Sequence, residues 1–132
     1  MDSSEMSKVY IDEDISRARK AQAEFEKMSQ EEVDLAVKVI GKTVYDNAEY
    51  LAEIAVQETN MGNVPDKIAK NKQKSKIIWN SLKGKKSRGI LDTDETTGIT
   101  RIAKPMGVVA AITPCTNPIV TPMSNAMFAL KC

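Results

Sequence analysis

The residues with the most chemical content stand together in "TPCTNP", Thr113 to Pro118, which holds a thiol, two hydroxyls and a side-chain amide. Pro114 and Pro118 fix φ on either side and stiffen the backbone between them. Upstream, "GVVAAI" (Gly107–Ile112) is a continuous apolar run. That is the pattern of a strand buried on both faces of a parallel sheet. Downstream, Val120, Met123, Met127 and Leu130 follow helical spacing. A strand, loop and helix in this order make the first half of a βαβ unit, and ligands in open α/β sheets sit beyond the carboxyl ends of the strands. The loop lies at that end. A thiol at a helix N-terminus can have a lowered pKa. The plainer reading is a turn with a helix cap: Asn117 or Thr121 can accept backbone N–H groups, each with a proline next as a first-turn residue. No GxGxxG is present. Spacing alone therefore favours the turn.

Composition narrows the chemistry further. The chain has no histidine, which excludes His-based general base catalysis, Ser-His-Asp chemistry and the commonest zinc ligands. No metal site is expected. Cys115 and Cys132 form neither a CxxC pair nor a disulfide framework. The longest apolar run is too short to span a bilayer, so no membrane is expected. The polar, acidic opening "MDSSEMSKVYIDED" has no basic n-region and no apolar h-region, which points to the cytoplasm. Residues 1–66 carry 7 Lys/Arg against 15 Asp/Glu, and residues 67–132 carry 12 against 3. The basic half opens with a lysine-rich run from Lys67 to Arg88. Its lysines interleave with a helical apolar stripe and only Trp79 could stack, so a solvated helix face is preferred to a nucleic-acid site.

The elements that must position the loop are mostly helices. Ile15, Ala18, Gln22, Phe25 and Met28 follow helical spacing, with Asp12 or Asp14 as N-cap. "SQEE" at Ser29–Glu32 is a capping box. Behind it Val33, Ala36, Val37, Ile40 and Val44 form an apolar face. A third helix restarts at Asp46 or Asn47, with Leu51, Ile54, Ala55 and Glu58 on one side and Gly62 as terminator. A fourth begins near Pro65, carries Ile68, Asn71, Ser75, Ile78 and Leu82, and ends at Gly84. "RGILDTDETTGITRIAKP" holds two short β-like runs around an acidic turn, a hairpin or two edge strands. The expected organisation is a helical region at 1–87, a β-hairpin at 88–106, and at 107–132 the first strand and helix of a Rossmann-like parallel sheet.

"KPMGVVAAITPCTNPIVTPMSNAMFALK" resembles the aldehyde dehydrogenase superfamily, and within it the CoA-acylating branch. That branch includes acetaldehyde, succinate-semialdehyde and sulfoacetaldehyde dehydrogenases and the aldehyde half of bifunctional aldehyde–alcohol dehydrogenases. "ETNMGNVPDKIAKN" at Glu58–Asn71 and the four-helix opening match the same branch, and "NPIVTPMSNAM" is closer to the succinate-semialdehyde type. The resemblance runs from about Val9 onward. It implies oxidation of a small aldehyde to an acyl-CoA, with NAD or NADP as cofactor and CoA as co-substrate. It also implies a truncated aldehyde dehydrogenase fold and a homo-oligomer at full length.

In the family a cysteine thiolate attacks the aldehyde, and the nicotinamide lies against the loop after the first strand. Here that loop is Ile112, Thr113, Pro114, Cys115 and Thr116. Non-acylating relatives carry P-W-N-F-P, whose Asn polarises the substrate oxygen. This chain has P-C-T-N-P, so Thr116 takes the matching slot and Asn117, one place on, is the candidate oxyanion donor. Cys115 then falls at a cofactor-lining position, and the nucleophilic cysteine belongs after the equivalent of Cys132. The expectation is an N-terminal fragment of the enzyme, inactive alone. The competing expectation is a self-contained helical interaction module without catalytic activity.

Overall fold

Ser29 begins the packed part of the fold with the cap that its sequence specifies. Its hydroxyl accepts the Glu32 N–H at 3.2 Å, and the Glu32 carboxylate accepts the Ser29 N–H at 2.7 Å. The computed structural model describes residues 3–132. Its elements are α1 (Ser3–Phe25), α2 (Gln30–Asp46), α3 (Ala48–Thr59), α4 (Val64–Leu82), β1 (Ile90–Asp94), β2 (Ile99–Ile102) and α5 (Val120–Lys131). The fold is therefore α-rich with one two-stranded antiparallel sheet. The first two residues of the expected 1–87 helical region lie outside the described residues.

Two corrections apply to α1. It begins well before Asp12 or Asp14, because no proline or glycine interrupts residues 3–25. It also stops before Met28, in a turn closed by the Met28 N–H donating to the Phe25 carbonyl at 3.1 Å. Arg88 donates to the Phe25 and Glu26 carbonyls, placing a cation at the negative end of the helix.

The core forms where α2 meets α4 and α5. Val33, Val37, Leu82, Met123 and Met127 are buried together, with Ile40, Val44, Ile78 and Val120 half-covered around them. Helix α5 approaches α2 closely at Gly41: a Cβ added there would lie 3.1 Å from Met127 Cε, the flexible end of that side chain. Polar groups inside are satisfied. Asn71 Nδ2 donates to the Ala48 carbonyl at 3.2 Å, and the Ser75 hydroxyl donates to the Asn71 carbonyl at 2.7 Å. At the opposite end the buried Lys131 ammonium pairs with Asp34, which also accepts from Gln30 Nε2 at 3.0 Å. The Gln30 carbonyl oxygen in turn accepts the Ser87 N–H at 2.8 Å. One polar chain thus joins the start of α2, the end of α5 and the lead-in to the hairpin.

Helix ends and faces differ from expectation at several points. Asn60 (φ 53°), not Gly62, is the left-handed residue that closes α3. The inward face of α3 is Ala48, Ala52 and Ala55, while Leu51 and Ile54 are half-covered and Glu58 is exposed. Small residues there let α3 lie flat against α4. Asn63 caps α4 by accepting the Asp66 N–H at 2.9 Å, with Pro65 in the first turn, and Gly84 (φ 74°) follows its end as expected.

The hairpin forms as expected. Asp94 accepts the Thr96 and Thr97 N–H groups at 2.9 and 3.3 Å, and Gly98 (φ 70°) completes the reversal. Arg101 makes a two-pronged contact with Asp92 that holds the Asp92 carboxyl below its ordinary range.

The strand expected at Gly107–Ile112 is not formed here. The apolar run forms no strand, and Ile112 is 94% exposed. A strand requires a neighbour to pair its N–H and C=O groups, and among the described residues none lies beside this segment.

The close approach at Gly41 gives the first prediction. Gly41→Ala should be near neutral, because about 1 kcal/mol of helix propensity offsets displacement of the flexible Met127 end. Gly41→Val adds branched bulk at a closed contact and should destabilise by about 1–3 kcal/mol. Urea unfolding compares the two. A valine variant as stable as the parent means that α2 and α5 are not in tight contact.

Candidate functional site

Two lysines on one face of α4 grip the Thr113–Pro118 loop. Lys67 and Lys70 are three residues apart and so neighbours on the helix surface. Lys67 is buried, and its Nζ donates to the Thr116 carbonyl at 3.4 Å. Lys70 is half-buried, and its Nζ donates to Asn117 Oδ1 at 2.9 Å. On the other side of that amide, Asn117 Nδ2 donates to Thr116 Oγ1 at 3.3 Å. The Asn117 N–H closes the turn on the Pro114 carbonyl at 3.4 Å, and its own carbonyl accepts the Thr121 N–H at 3.3 Å. The Asn117 backbone thus leads into α5 while its side chain turns back to α4.

This geometry corrects the expected cap. Ile119 occupies the N-cap position of α5 with no side-chain cap, and Thr121 lies inside the first turn. The Asn117 oxygen accepts from an ammonium instead. A charge-assisted hydrogen bond of that kind is roughly twice as strong as a neutral one.

The expected cofactor-lining residues Ile112, Thr113, Pro114, Cys115 and Thr116 follow one another along the open side of the loop, and all are exposed. Asn117 stands behind them, half-buried. Cys115 is a free thiol and Cys132 is another. The C=O of Cys132 accepts the Met106 N–H at 3.2 Å. Beside the loop, Met106, Val109, Ala111, Ile112 and Phe128 line an apolar groove of about 440 Å³. Behind it, the space between Ala55, Lys67, Asn71 and Pro118 is only about 10 Å³, too small for anything larger than a water. The lysines therefore bear on the loop itself, and the space they border is too small for a ligand. Among the described residues no group of three or more His, Cys, Asp or Glu side chains could hold a metal ion.

Sequence reasoning missed both lysines by reading the Lys67–Arg88 run as a solvated face. Lys72 pairs with Glu49 at 3.2 Å, and Arg88 is held on the end of α1, so four cations of the run are engaged internally. A signal was present for Lys67. It stands four residues before Asn71 and eight before Ser75, on the stripe assigned to the core.

Residues 1–132 match the aldehyde dehydrogenase family. Succinate-semialdehyde dehydrogenase (acetylating) of Clostridium kluyveri is 53% identical over 125 residues, which cover 95% of this chain and 28% of that protein. Sulfoacetaldehyde dehydrogenase (acylating) of Cupriavidus necator is 46% identical over 120 residues, covering 89% of this chain and 24% of that one. The crystal structure of an acetylating aldehyde dehydrogenase from Geobacillus thermoglucosidasius superposes with a TM-score of 0.91 at 38% identity, covering 98% of this chain and 29% of that chain. The chain thus spans about a quarter of the length of the curated relatives it matches. Among the described residues no helix is long and apolar enough to cross a membrane.

Lys67→Met keeps the apolar stem and removes the bond to the Thr116 carbonyl. It should speed amide hydrogen exchange at Asn117 and in the first turn of α5 by about tenfold, the equivalent of about 1.4 kcal/mol for one hydrogen bond to a charged group. Exchange in the middle of α2 should change less. Uniform acceleration throughout the chain would instead mean that Lys67 supports the whole fold.

Proposed function

The chain belongs to the aldehyde dehydrogenase family, and from that premise we propose that it forms the N-terminal part of an NAD(P)-dependent CoA-acylating aldehyde dehydrogenase. The reaction is aldehyde + CoA + NAD(P)+ to acyl-CoA + NAD(P)H, with a small aldehyde as substrate. The observation that carries this reading is the likeness to acylating relatives across nearly the whole chain. The same likeness gives no support to a self-contained helical interaction module. In this reading residues 1–87 are the helical region, 88–106 the hairpin, and 107–132 the opening of the nucleotide-binding unit. Gly107–Ile112 becomes a strand when neighbouring strands of the complete enzyme pair with it, and that enzyme is a homo-oligomer.

The exposed stretch fits the nicotinamide end of the cofactor. Ile112 offers an uncovered apolar surface for a flat ring, and Thr113 and Thr116 offer hydroxyls beside it, with Pro114 and Cys115 between them. When bound, NAD(P)+ supplies the hydride acceptor. CoA is the co-substrate that takes up the acyl group. Asn117 stands at the end of the same stretch with Nδ2 turned toward Thr116. There an amide N–H stabilises negative charge developing on the aldehyde oxygen. Neither cysteine of this chain is assigned as nucleophile. Cys115 lines the cofactor in this reading.

Two outcomes test the reading. The 132-residue chain mixed with short aldehydes, CoA and NAD(P)+ should form no NAD(P)H. Turnover that depends on Cys115 would overturn the assignment. In the complete enzyme Asn117→Ala should lower kcat by about 10²–10³-fold, with a smaller effect on cofactor affinity. Asn117→Asp separates a donor from an anchor, because a carboxylate keeps an acceptor for Lys70 but presents no N–H. Both variants should be slow. An aspartate variant with full turnover would make Asn117 an anchor only.

A further inference from the structure

In its contact with Asn117, the Lys70 ammonium decides which way the side-chain amide faces. An ammonium carries three N–H donors and no acceptor, so the atom of Asn117 that meets it has to be the oxygen. The 2.9 Å contact to Oδ1 therefore sends Nδ2 to the opposite side, toward Thr116 Oγ1. Without that contact the amide torsion is broad and roughly two-fold. One of its two faces would present a carbonyl oxygen to the aldehyde, where it would repel the charge that Nδ2 is meant to receive.

We propose that Lys70 is a positioning residue: it fixes the Asn117 side chain so that the amide N–H, and not the carbonyl, is offered to the aldehyde oxygen. The role rests on the reading of Asn117 as oxyanion donor. The neighbouring cations act elsewhere. Lys67 holds the Thr116 carbonyl and so the path of the backbone, while Lys72 is paired with Glu49. Asn117 Nδ2 has two N–H groups, and Thr116 Oγ1 engages one of them. The substrate oxygen would take the other. Lys70 itself touches no reacting atom.

The test combines turnover with a spectroscopic reading of the contact. In the complete enzyme Lys70→Met should lower kcat by about 10- to 10²-fold, the scale of a misplaced catalytic group. The aldehyde KM should change by less than about threefold, because the donor is engaged mainly as charge develops. Lys70→Arg, which also only donates, should lose less than Lys70→Met. In an Asn117→Ala background Lys70→Met should cost nothing further. If it multiplies the loss there, the ammonium acts on its own and the proposal fails.

In the 132-residue chain, the ¹⁵N side-chain amide signals of Asn117, identified by their absence in Asn117→Ala, should move in Lys70→Met and stay near their places in Lys70→Arg. Signals unmoved in Lys70→Met overturn the contact whatever the enzyme does. Full turnover in Asn117→Ala sinks the oxyanion reading and the positioning role with it, and a shifted amide signal then marks a structural contact only.

Discussion

A charge carried into a folded interior has to find acceptors, and the two lysines of α4 find theirs in the loop ahead of α5. Much of the molecule is arranged around that requirement. Asn63 starts α4 so that Lys67 and Lys70 fall in its first turns. Alanines on α3 let that helix lie close behind α4, and buried Asn71 bonds the two together through the Ala48 carbonyl. Helix α5 is held at its start by the loop that the lysines grip and at its end by the Lys131–Asp34 pair. Between those anchors Met123 and Met127 fill the space against α2 and α4. The chemistry-bearing loop is therefore mounted on the helical core through polar contacts. Its outer side remains open.

That open side carries exposed apolar residues. Met106, Val109, Ile112 and Phe128 border one continuous groove, with Ile112 almost wholly uncovered. Burying such surface is worth about 25 cal/mol per Å². Pairing the backbone of Gly107–Ile112 would add ladder hydrogen bonds that the segment now lacks. Within the proposed enzyme, a sheet and helices built from further residues supply both. Apolar on two faces yet paired on neither edge, the segment has a sequence pattern that specifies a strand and surroundings that do not yet allow one.

Local signals were legible because their causes are local. The capping box at Ser29–Glu32, the start of α4 near Pro65, Gly84 after its end and the acidic turn of the hairpin each rest on residues a few positions apart. What the sequence hid was long-range. Lys70 and Asn117 are separated by 47 positions, and nothing in helical periodicity points a lysine at a distant amide. The same distance explains the misread cap. From sequence, Asn117 before Pro118 is a sound N-cap, but a competing acceptor role becomes visible only once α4 and α5 lie side by side. Freedom at positive φ makes Gly62 the expected terminator of α3, whereas Asn60 takes that conformation two residues earlier. Asparagine is among the few other residues that tolerate it.

The one-place shift between P-C-T-N-P and the non-acylating pattern poses a choice between Thr116 and Asn117, and the contact between them softens it. Asn117 Nδ2 donates to Thr116 Oγ1, so the hydroxyl acts as acceptor on that side. A hydroxyl that accepts one bond still carries its own proton to donate elsewhere. Hydrogen-bonded groups polarise one another in a low-dielectric site, so the amide can strengthen the hydroxyl as a donor. With Lys70 on Asn117 Oδ1 and Lys67 on the Thr116 carbonyl, the proposed enzyme would have both an N–H and an O–H of this pair to offer to the aldehyde oxygen. Under the proposed role, the residue in the matching slot and the residue one place on need not be rivals, because the hydrogen bond between them would let them act as one donor unit.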